Sequence, residues 1–160
     1  MSIIIDTNCL CSVFVEKDEM HHLYKPVLSL LRAKKAKLII GGSKYNEELR
    51  KLRQITKILA IFKTKHEAII HINDGIVDAE EVRISSLITS SDFDDPHIAA
   101  LVAASGCKII CTRDTRSIPF LKKKEIYPQG VCTPKFYTKP KNVTLFTNQN
   151  LNIHIRNRVH

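Results

Sequence analysis

The chain has 160 residues, which is the size of one domain with a substantial core. Its 44% hydrophobic and 26% charged residues exclude a disordered chain, and no apolar run approaches the roughly 20 residues needed to span a bilayer. Lys and Arg number 25 against 16 Asp and Glu, and the resulting net charge of +9 favours a polyanionic partner such as nucleic acid.

The N-terminal segment and the cysteines indicate a cytoplasmic protein. MSIIID has neither the basic stretch nor the long apolar stretch of a secretory signal. The five cysteines are an odd number, and no two of them have zinc-finger spacing with a matching second pair. We therefore expect reduced, mostly buried thiols and no membrane association.

The first quarter of the chain predicts two short buried strands with helices between them. SIIID, residues 2–6, contains three consecutive isoleucines and predicts a buried parallel strand that ends at an acid. A short helix is predicted from Cys9 to Val15, and the leucine spacing predicts another from Tyr24 to Ala33. KLIIGG, residues 37–42, predicts the second strand, closed by glycines.

The second quarter predicts mainly helix. Ser43 is a candidate N-cap, and apolar residues recur at helical spacing from Tyr45 to about Phe62, which predicts one long helix. EAIIHIND, residues 67–74, is compatible with an edge strand or with the end of a helix. DAEEVRISSLI, residues 78–88, predicts a further helix.

The second half contains a turn, a buried helix and a third strand. SSDFDDP, residues 90–96, combines turn residues with a proline suited to the first position of a helix. HIAALVAASG, residues 97–106, predicts a buried helix stopped by glycine, and KIICT, residues 108–112, predicts a third buried strand. A basic turn or short helix follows, with a strand near Ile126 or Val131.

Strands that alternate with helices predict an α/β domain around a mostly parallel sheet. We assign residues 1–135 to this domain and residues 136–160, which are basic and rich in Asn, to a loosely packed extension of the same domain. In such sheets, ligand sites gather at the carboxyl ends of the strands.

Acidic residues follow the predicted strands. Asp6 follows the first strand, Asp114 follows the third, and Asp95 starts the helix that leads into the third. Glu48 lies within the first two turns of the helix that follows the second strand. Each acid alone is compatible with a helix cap, a turn or a solvated surface position. Four carboxylates at one sheet edge would repel one another unless a cation neutralised them, and hard oxygen ligands suit Mg²⁺ or Mn²⁺.

Four motifs resemble those of PIN domains: Asp-Thr-Asn at 6–8, Glu-Leu-Arg at 48–50, Asp-x-His-Ile-Ala-Ala at 95–100 and Thr-Arg-Asp at 112–114. The resemblance covers roughly residues 2–135 and is greatest to ribonuclease toxins of the VapC type. It implies a three-layer α/β/α sandwich, a metal-dependent endoribonuclease, a homodimer and control by an antitoxin or another inhibitor protein. It implies catalytic and metal-binding roles for Asp6, Glu48, Asp95 and Asp114, with support from Asn8 and Thr112.

Two of these assignments have a neighbouring alternative. Glu47 is a rival to Glu48, and Asp94 could replace or support Asp95 as a ligand. His97 is expected on the surface of its helix.

Arg113 and Arg116 flank Asp114, and the planar guanidinium group suits binding of an RNA phosphate.

The predicted function is hydrolysis of RNA by metal-activated water, with Asp6, Asp95 and Asp114 as principal ligands. Glu48 would complete the site or accept a proton from the water. The protein would be a toxin or a defence nuclease. The alternative is a catalytically weak PIN-like module that binds RNA or protein, in which the acids would be dispensable.

Overall fold

A computed structural model describes residues 2–151, 156, 157 and 159 of the chain. Its centre is a five-stranded sheet in which every pair of neighbours is parallel and the order is β3-β2-β1-β4-β5. The predicted α/β class with a parallel sheet is therefore confirmed. The strands are β1 (Ser2–Ile5), β2 (Lys37–Ile40), β3 (Ile69–His71), β4 (Ile109–Cys111) and β5 (Lys135–Tyr137).

Helices flank the sheet and complete the predicted three-layer sandwich, with Thr7–Phe14 packed against His21–Arg32 and Asp74–Leu87 against Pro96–Ser105. None of the helices in the described ranges is both long and apolar enough to cross a bilayer. Two 3₁₀ helices lie at Lys124–Ile126 and Pro140–Leu145. The α-helices are α1 (Thr7–Phe14), α2 (His21–Arg32), α3 (Ser43–Lys51), α4 (Arg53–Thr64), α5 (Asp74–Leu87), α6 (Pro96–Ser105), α7 (Ile118–Leu121) and α8 (Asn148–Leu151).

The core lies around the central strand β1 and its neighbour β4. The isoleucines of β1 and β4 are fully buried, as expected for parallel strands that are covered on both faces. Helix α6 is buried along its whole length from His97 to Ser105, because it contacts β1 and β2 on one side and α5 on the other. The hydroxyl of Tyr45 donates to the carbonyl oxygen of Ile5 at 2.6 Å, and this bond fixes α3 to the end of β1.

The helix predicted over residues 45–62 is wrong as a single element, because the chain breaks at Leu52 into α3 and α4. Leu52 has ψ 68°, outside the helical range, and its half-buried side chain packs against the core. Both halves have helical spacing of apolar residues, so the spacing alone does not show the break. Ser43 is the first residue of α3, and Gly42 occupies the N-cap position instead.

The strand predicted near Ile126 or Val131 is also wrong. Ile126 ends a 3₁₀ helix, Val131 lies in a loop, and the fifth strand is at Lys135–Tyr137 beside β4. The strand has only three residues, so its sequence carries little of the alternation that marks a strand. Its place at the sheet edge comes from tertiary pairing.

The predicted extension, residues 136–160, lies partly outside the described residues. In the described part, the ring of Phe146 stacks on Tyr137 with a centroid distance of 5.2 Å. The backbone of Arg156 donates to the Ser105 carbonyl at 3.1 Å. These two contacts attach the end of the chain to β5 and to α6.

Candidate active site

Asp6 lies at the carboxyl end of the central strand β1, beside the same end of its parallel neighbour β4. Its backbone NH donates to the Cys111 carbonyl at 2.9 Å, which continues the pairing of β1 with β4. Its side chain is 3% exposed and accepts hydrogen bonds from three donors. They are the backbone NH of Asn8 at 3.3 Å, Nδ2 of Asn8 at 2.7 Å and Oγ1 of Thr112 at 2.7 Å. Asp6 thus caps α1 and is held in a fixed position.

Burial raises the pKa of the Asp6 carboxyl group above its ordinary value, and the negative charge of Glu48 adds to the effect. The hydrogen bonds from Thr112 and Asn8 act in the opposite direction and are outweighed. A buried carboxyl group of this kind ionises more readily when a cation lies nearby.

Glu48 reaches the same edge of the sheet from α3. The turn after β2 requires glycine at Gly42, which has φ +87° and where a Cβ would lie 2.6 Å from Cγ1 of Val77. This turn starts α3 immediately beyond the strand end. Thr7 Oγ1 donates to Glu48 Oε2 at 2.6 Å, and Lys44 Nζ lies 4.0 Å from Oε1.

The structure distinguishes the two neighbouring glutamates. The side chain of Glu48 is 23% exposed and contacts Thr7, the residue that follows Asp6. Glu47 is 53% exposed and pairs with Lys51 one turn further along α3 at 2.7 Å. Glu48 is therefore the member of the pair that faces the acidic site.

Asp95 occupies the N-cap position of α6, with Pro96 at the first helical position, but its side chain makes no capping hydrogen bond. Burial raises the pKa of Asp95 to about 7, and the negative charges of four other acids contribute to the increase. These acids are Asp6, Asp94, Glu48 and Asp114. Asp95 is thus the acid of the site whose pKa is raised by the negative charges of all four others.

Asp114 follows β4 and lies close to Asp95. Asp94, Asp95 and Asp114 can each place one carboxylate oxygen within 4.8 Å of the other two. The backbone NH of Asp114 donates to Thr112 Oγ1 at 3.0 Å, and the same hydroxyl donates to Asp6. Thr112 therefore links the acid after β1 to the acid after β4.

The predicted acids form two sets that share Asp95. Asp6, Glu48 and Asp95 line one cleft of about 310 Å³, together with Thr7, Asn8, Lys51 and Leu52. Asp114 lies outside this lining and groups with Asp94 and Asp95. Asp95 joins the two sets, and Asp94, which the sequence offered as an alternative to Asp95 or as a support for it, belongs to the second set.

The two predicted RNA-binding arginines have different surroundings. Nε and Nη2 of Arg116 donate to the two carboxylate oxygens of Asp114, each at 3.1 Å, and Nη2 lies 3.7 Å from Asp94. This pairing lowers the pKa of Asp114. Arg113 is exposed, and its Nη1 lies 3.4 Å from Oγ of Ser12 in α1. Arg116 thus contacts the acids directly, whereas Arg113 points toward α1.

Two side chains that contact Glu48 were not predicted from the sequence. Thr7 was not singled out, and the expectation that His97 lies on a helix surface is wrong. His97 is 1% exposed, and its Nε2 lies 3.5 Å from Glu48 Oε2. The signal was present in the sequence, because His97 and Ser105 are the only polar side chains of an otherwise apolar α6. A helix that is apolar all round is buried, and so are its polar residues.

The donor set of the site fits a hard divalent cation. Every candidate ligand is a carboxylate, and Mg²⁺ and Mn²⁺ prefer oxygen ligands. Burial, together with the charges of neighbouring acids, raises the pKa values of Asp6 and Asp95, and a divalent cation would favour the ionised form of both groups. The fold and site together define a class: parallel α/β domains with acids gathered at the strand ends.

A family model described as PIN domain matches residues 2–116. The chain belongs to the PIN domain family, which confirms the resemblance seen in the four motifs. PIN domains are generally nucleases and generally use divalent metals. Comparison with curated proteins and with solved structures gave no match.

Proposed function

We propose that this protein is a metal-dependent endoribonuclease that hydrolyses RNA phosphodiester bonds, with Mg²⁺ or Mn²⁺ as its cofactor. The proposal rests mainly on the position of Asp95, which shares one cleft with Asp6 and Glu48 and can place an oxygen within 4.8 Å of those of Asp94 and Asp114. Acids this close together repel one another in the metal-free protein. Binding of a divalent cation would offset this repulsion and would explain why so many acids lie at one edge of the sheet.

Each acid has a defined role in this proposal. Asp6, Asp95 and Asp114 hold the metal, with Asp94 as a further oxygen donor, and Glu48 completes the site or accepts a proton from the attacking water. A bound divalent metal lowers the pKa of a coordinated water molecule and neutralises charge on the phosphate. Asn8 and Thr112 keep Asp6 in place, and Thr7 orients Glu48.

Positive side chains on both sides of the acids support a polyanionic substrate. Lys44 and Lys51 belong to α3 on one side, and Arg113 and Arg116 follow β4 on the other. A net charge of +9 adds a long-range attraction for a phosphate backbone. The similarity of the motifs to ribonuclease toxins of the VapC type favours RNA as the substrate. It also favours a toxin or defence role under the control of an antitoxin or another inhibitor protein.

The proposal predicts a difference between the two neighbouring glutamates. The assay follows cleavage of a labelled single-stranded RNA, and of DNA with the same sequence, with Mg²⁺ or Mn²⁺ and with EDTA. We expect metal-dependent cleavage of the RNA. Glu48→Gln should lower kcat/KM by about 10²–10³-fold, because it removes a proton acceptor or ligand. Glu47→Gln should stay within about twofold of the parent, because that side chain is exposed and faces away.

Cleavage that continues at the parent rate in EDTA would contradict the metal-dependent mechanism. Equal loss of activity in the two glutamate variants would contradict the assignment of Glu48. Cleavage of the DNA in preference to the RNA would contradict the proposed substrate.

A further inference from the structure

We propose that His97 is a positioning residue that holds Glu48 in its working orientation by donating a hydrogen bond from Nε2 to Oε2. The inference rests on the proposed function, because it concerns a residue that we assign to the metal site. It adds a residue that acts through Glu48 without touching the metal or the substrate.

The surroundings of His97 leave few other roles for its imidazole. The ring lies at the start of α6 and is 1% exposed. Across the described ranges of the chain, neither ring nitrogen has a hydrogen-bond partner. The nearest acidic atom is Glu48 Oε2, 3.5 Å from Nε2, and Thr7 Oγ1 donates to this same oxygen at 2.6 Å. The imidazole is therefore enclosed, and it is directed at a proposed active-site carboxylate.

Stability alone does not account for a histidine in this position. A buried polar group without a hydrogen bond is unfavourable, whereas a leucine of similar size would fill the space without this penalty. The remainder of α6 consists almost entirely of small and apolar residues, so an apolar side chain would suit its environment. A role in fixing Glu48 explains why a polar side chain occupies the site.

The geometry requires only a small movement. At 3.5 Å the contact is longer than an ordinary N–H···O hydrogen bond, and an approach of a few tenths of an ångström would bring it into range. Glu48 Oε2 would then accept from Thr7 and from His97. Its other oxygen, Oε1, would remain available to a cation or to a water molecule. Two donors on one oxygen fix the rotation of the carboxylate.

Three substitutions of His97 separate a positioning role from a packing role. Leu removes both nitrogens, Gln places a donor near the position of Nε2, and Asn places one near the position of Nδ1. The dissociation constant for Mn²⁺ is measured by calorimetry on the full chain, and the unfolding temperature is measured in EDTA. We expect His97→Leu to unfold at the same temperature as the parent or higher, and to bind Mn²⁺ about 10–100-fold more weakly. His97→Gln should retain most of the parent affinity, and His97→Asn should resemble the Leu variant.

A second comparison tests whether His97 acts through Glu48. If it does, adding His97→Leu to Glu48→Gln should weaken Mn²⁺ binding little beyond the effect of Glu48→Gln alone. Parent-like affinity in His97→Leu, equal losses in the Leu and Gln variants, or full additivity in the double variant would overturn the inference and leave the proposed function intact. If the parent itself bound no Mn²⁺, both would be overturned.

Discussion

Replacing Asp6 with Asn should reduce kcat/KM for RNA cleavage by at least about 10³-fold while the protein stays folded. Asp6 is the most deeply held of the proposed ligands, and Asn keeps its size but removes its charge. Loss of one anionic ligand removes several kcal/mol of transition-state stabilisation, and each 1.4 kcal/mol or so corresponds to about tenfold in rate.

The fold should tolerate this substitution. Asn is as good an N-cap as Asp, and its oxygen can still accept from the Asn8 backbone or from Thr112. Because Asn8 Nδ2 or Thr112 Oγ1 loses its acceptor, we expect the free energy of unfolding to fall by about 1–3 kcal/mol while the protein stays folded. The relevant measurements are initial cleavage rates, urea unfolding in EDTA and RNA binding by fluorescence anisotropy.

Asp92→Asn is the matched control, because it makes the same change in charge at an exposed residue of the loop that carries Asp94 and Asp95. We expect its activity to stay within about twofold of the parent. If Asp6→Asn cleaved RNA as fast as the parent, the acids would be dispensable for cleavage. RNA binding without cleavage in the parent would instead favour the alternative of a binding module.

Replacing Asp95 with Asn should abolish activity and yet stabilise the metal-free protein above neutral pH. The pKa of Asp95 is raised from 3.8 to about 7, so the folded state binds this proton more tightly than the unfolded state does. The contribution of this group to stability is fully present below about pH 3.8, and it is lost as the pH rises through about 7. At pH 8, folding of the parent must accommodate an ionised Asp95 among other acids, and Asn removes this requirement.

We expect metal-free Asp95→Asn to exceed the parent in free energy of unfolding at pH 8 by on the order of 1–2 kcal/mol. This figure is discounted from the full pKa shift because the side chain is only half buried and solvent screens its charge. At pH 5 the difference should shrink, since Asp95 is largely protonated there. Urea unfolding in EDTA at the two pH values measures the effect.

We expect Mg²⁺ to stabilise the parent and not the Asp95→Asn variant. Asp92→Asn again serves as the control, and its difference from the parent should be small at both pH values. If Asp95→Asn were destabilised equally at pH 5 and pH 8, Asp95 would be acting as an ordinary structural residue. The ionised form of Asp95 would then not be destabilised by burial and by the neighbouring acids.

The central part of the fold could be predicted from sequence because its signals are local. Runs of β-branched residues such as Ile3 to Ile5 indicate buried parallel strands, and Gly106 marks the end of α6. The rule that ligand sites lie at the carboxyl ends of parallel strands then indicated one edge for Asp6 and Asp114. The direct pairing of β1 with β4 shows that the two strands are neighbours.

The remaining features depend on tertiary packing and could not be predicted from the spacing of residues. The break at Leu52 separates α3, which contacts α5 and α6, from α4, which contacts β3. The apolar character of α6 already indicated that His97 is buried, but its contact with Glu48 depends on how α3 packs against α6. The pairing of Arg116 with Asp114 depends on side-chain directions within a loop. The metal-binding and catalytic roles of the acids stay predictions that the experiments above address.

The most direct test is a crystal structure of the protein soaked in Mn²⁺, with the ion located by its anomalous scattering. We predict an ion bound to Asp95 and to at least two of the other acids, with metal–oxygen distances of about 2.0–2.3 Å. Those acids are Asp6, Glu48, Asp94 and Asp114. A crystal that cleaves or binds RNA, but shows no Mn²⁺ at Asp95 at millimolar concentrations of the ion, would contradict the proposal that these carboxylates form a metal centre.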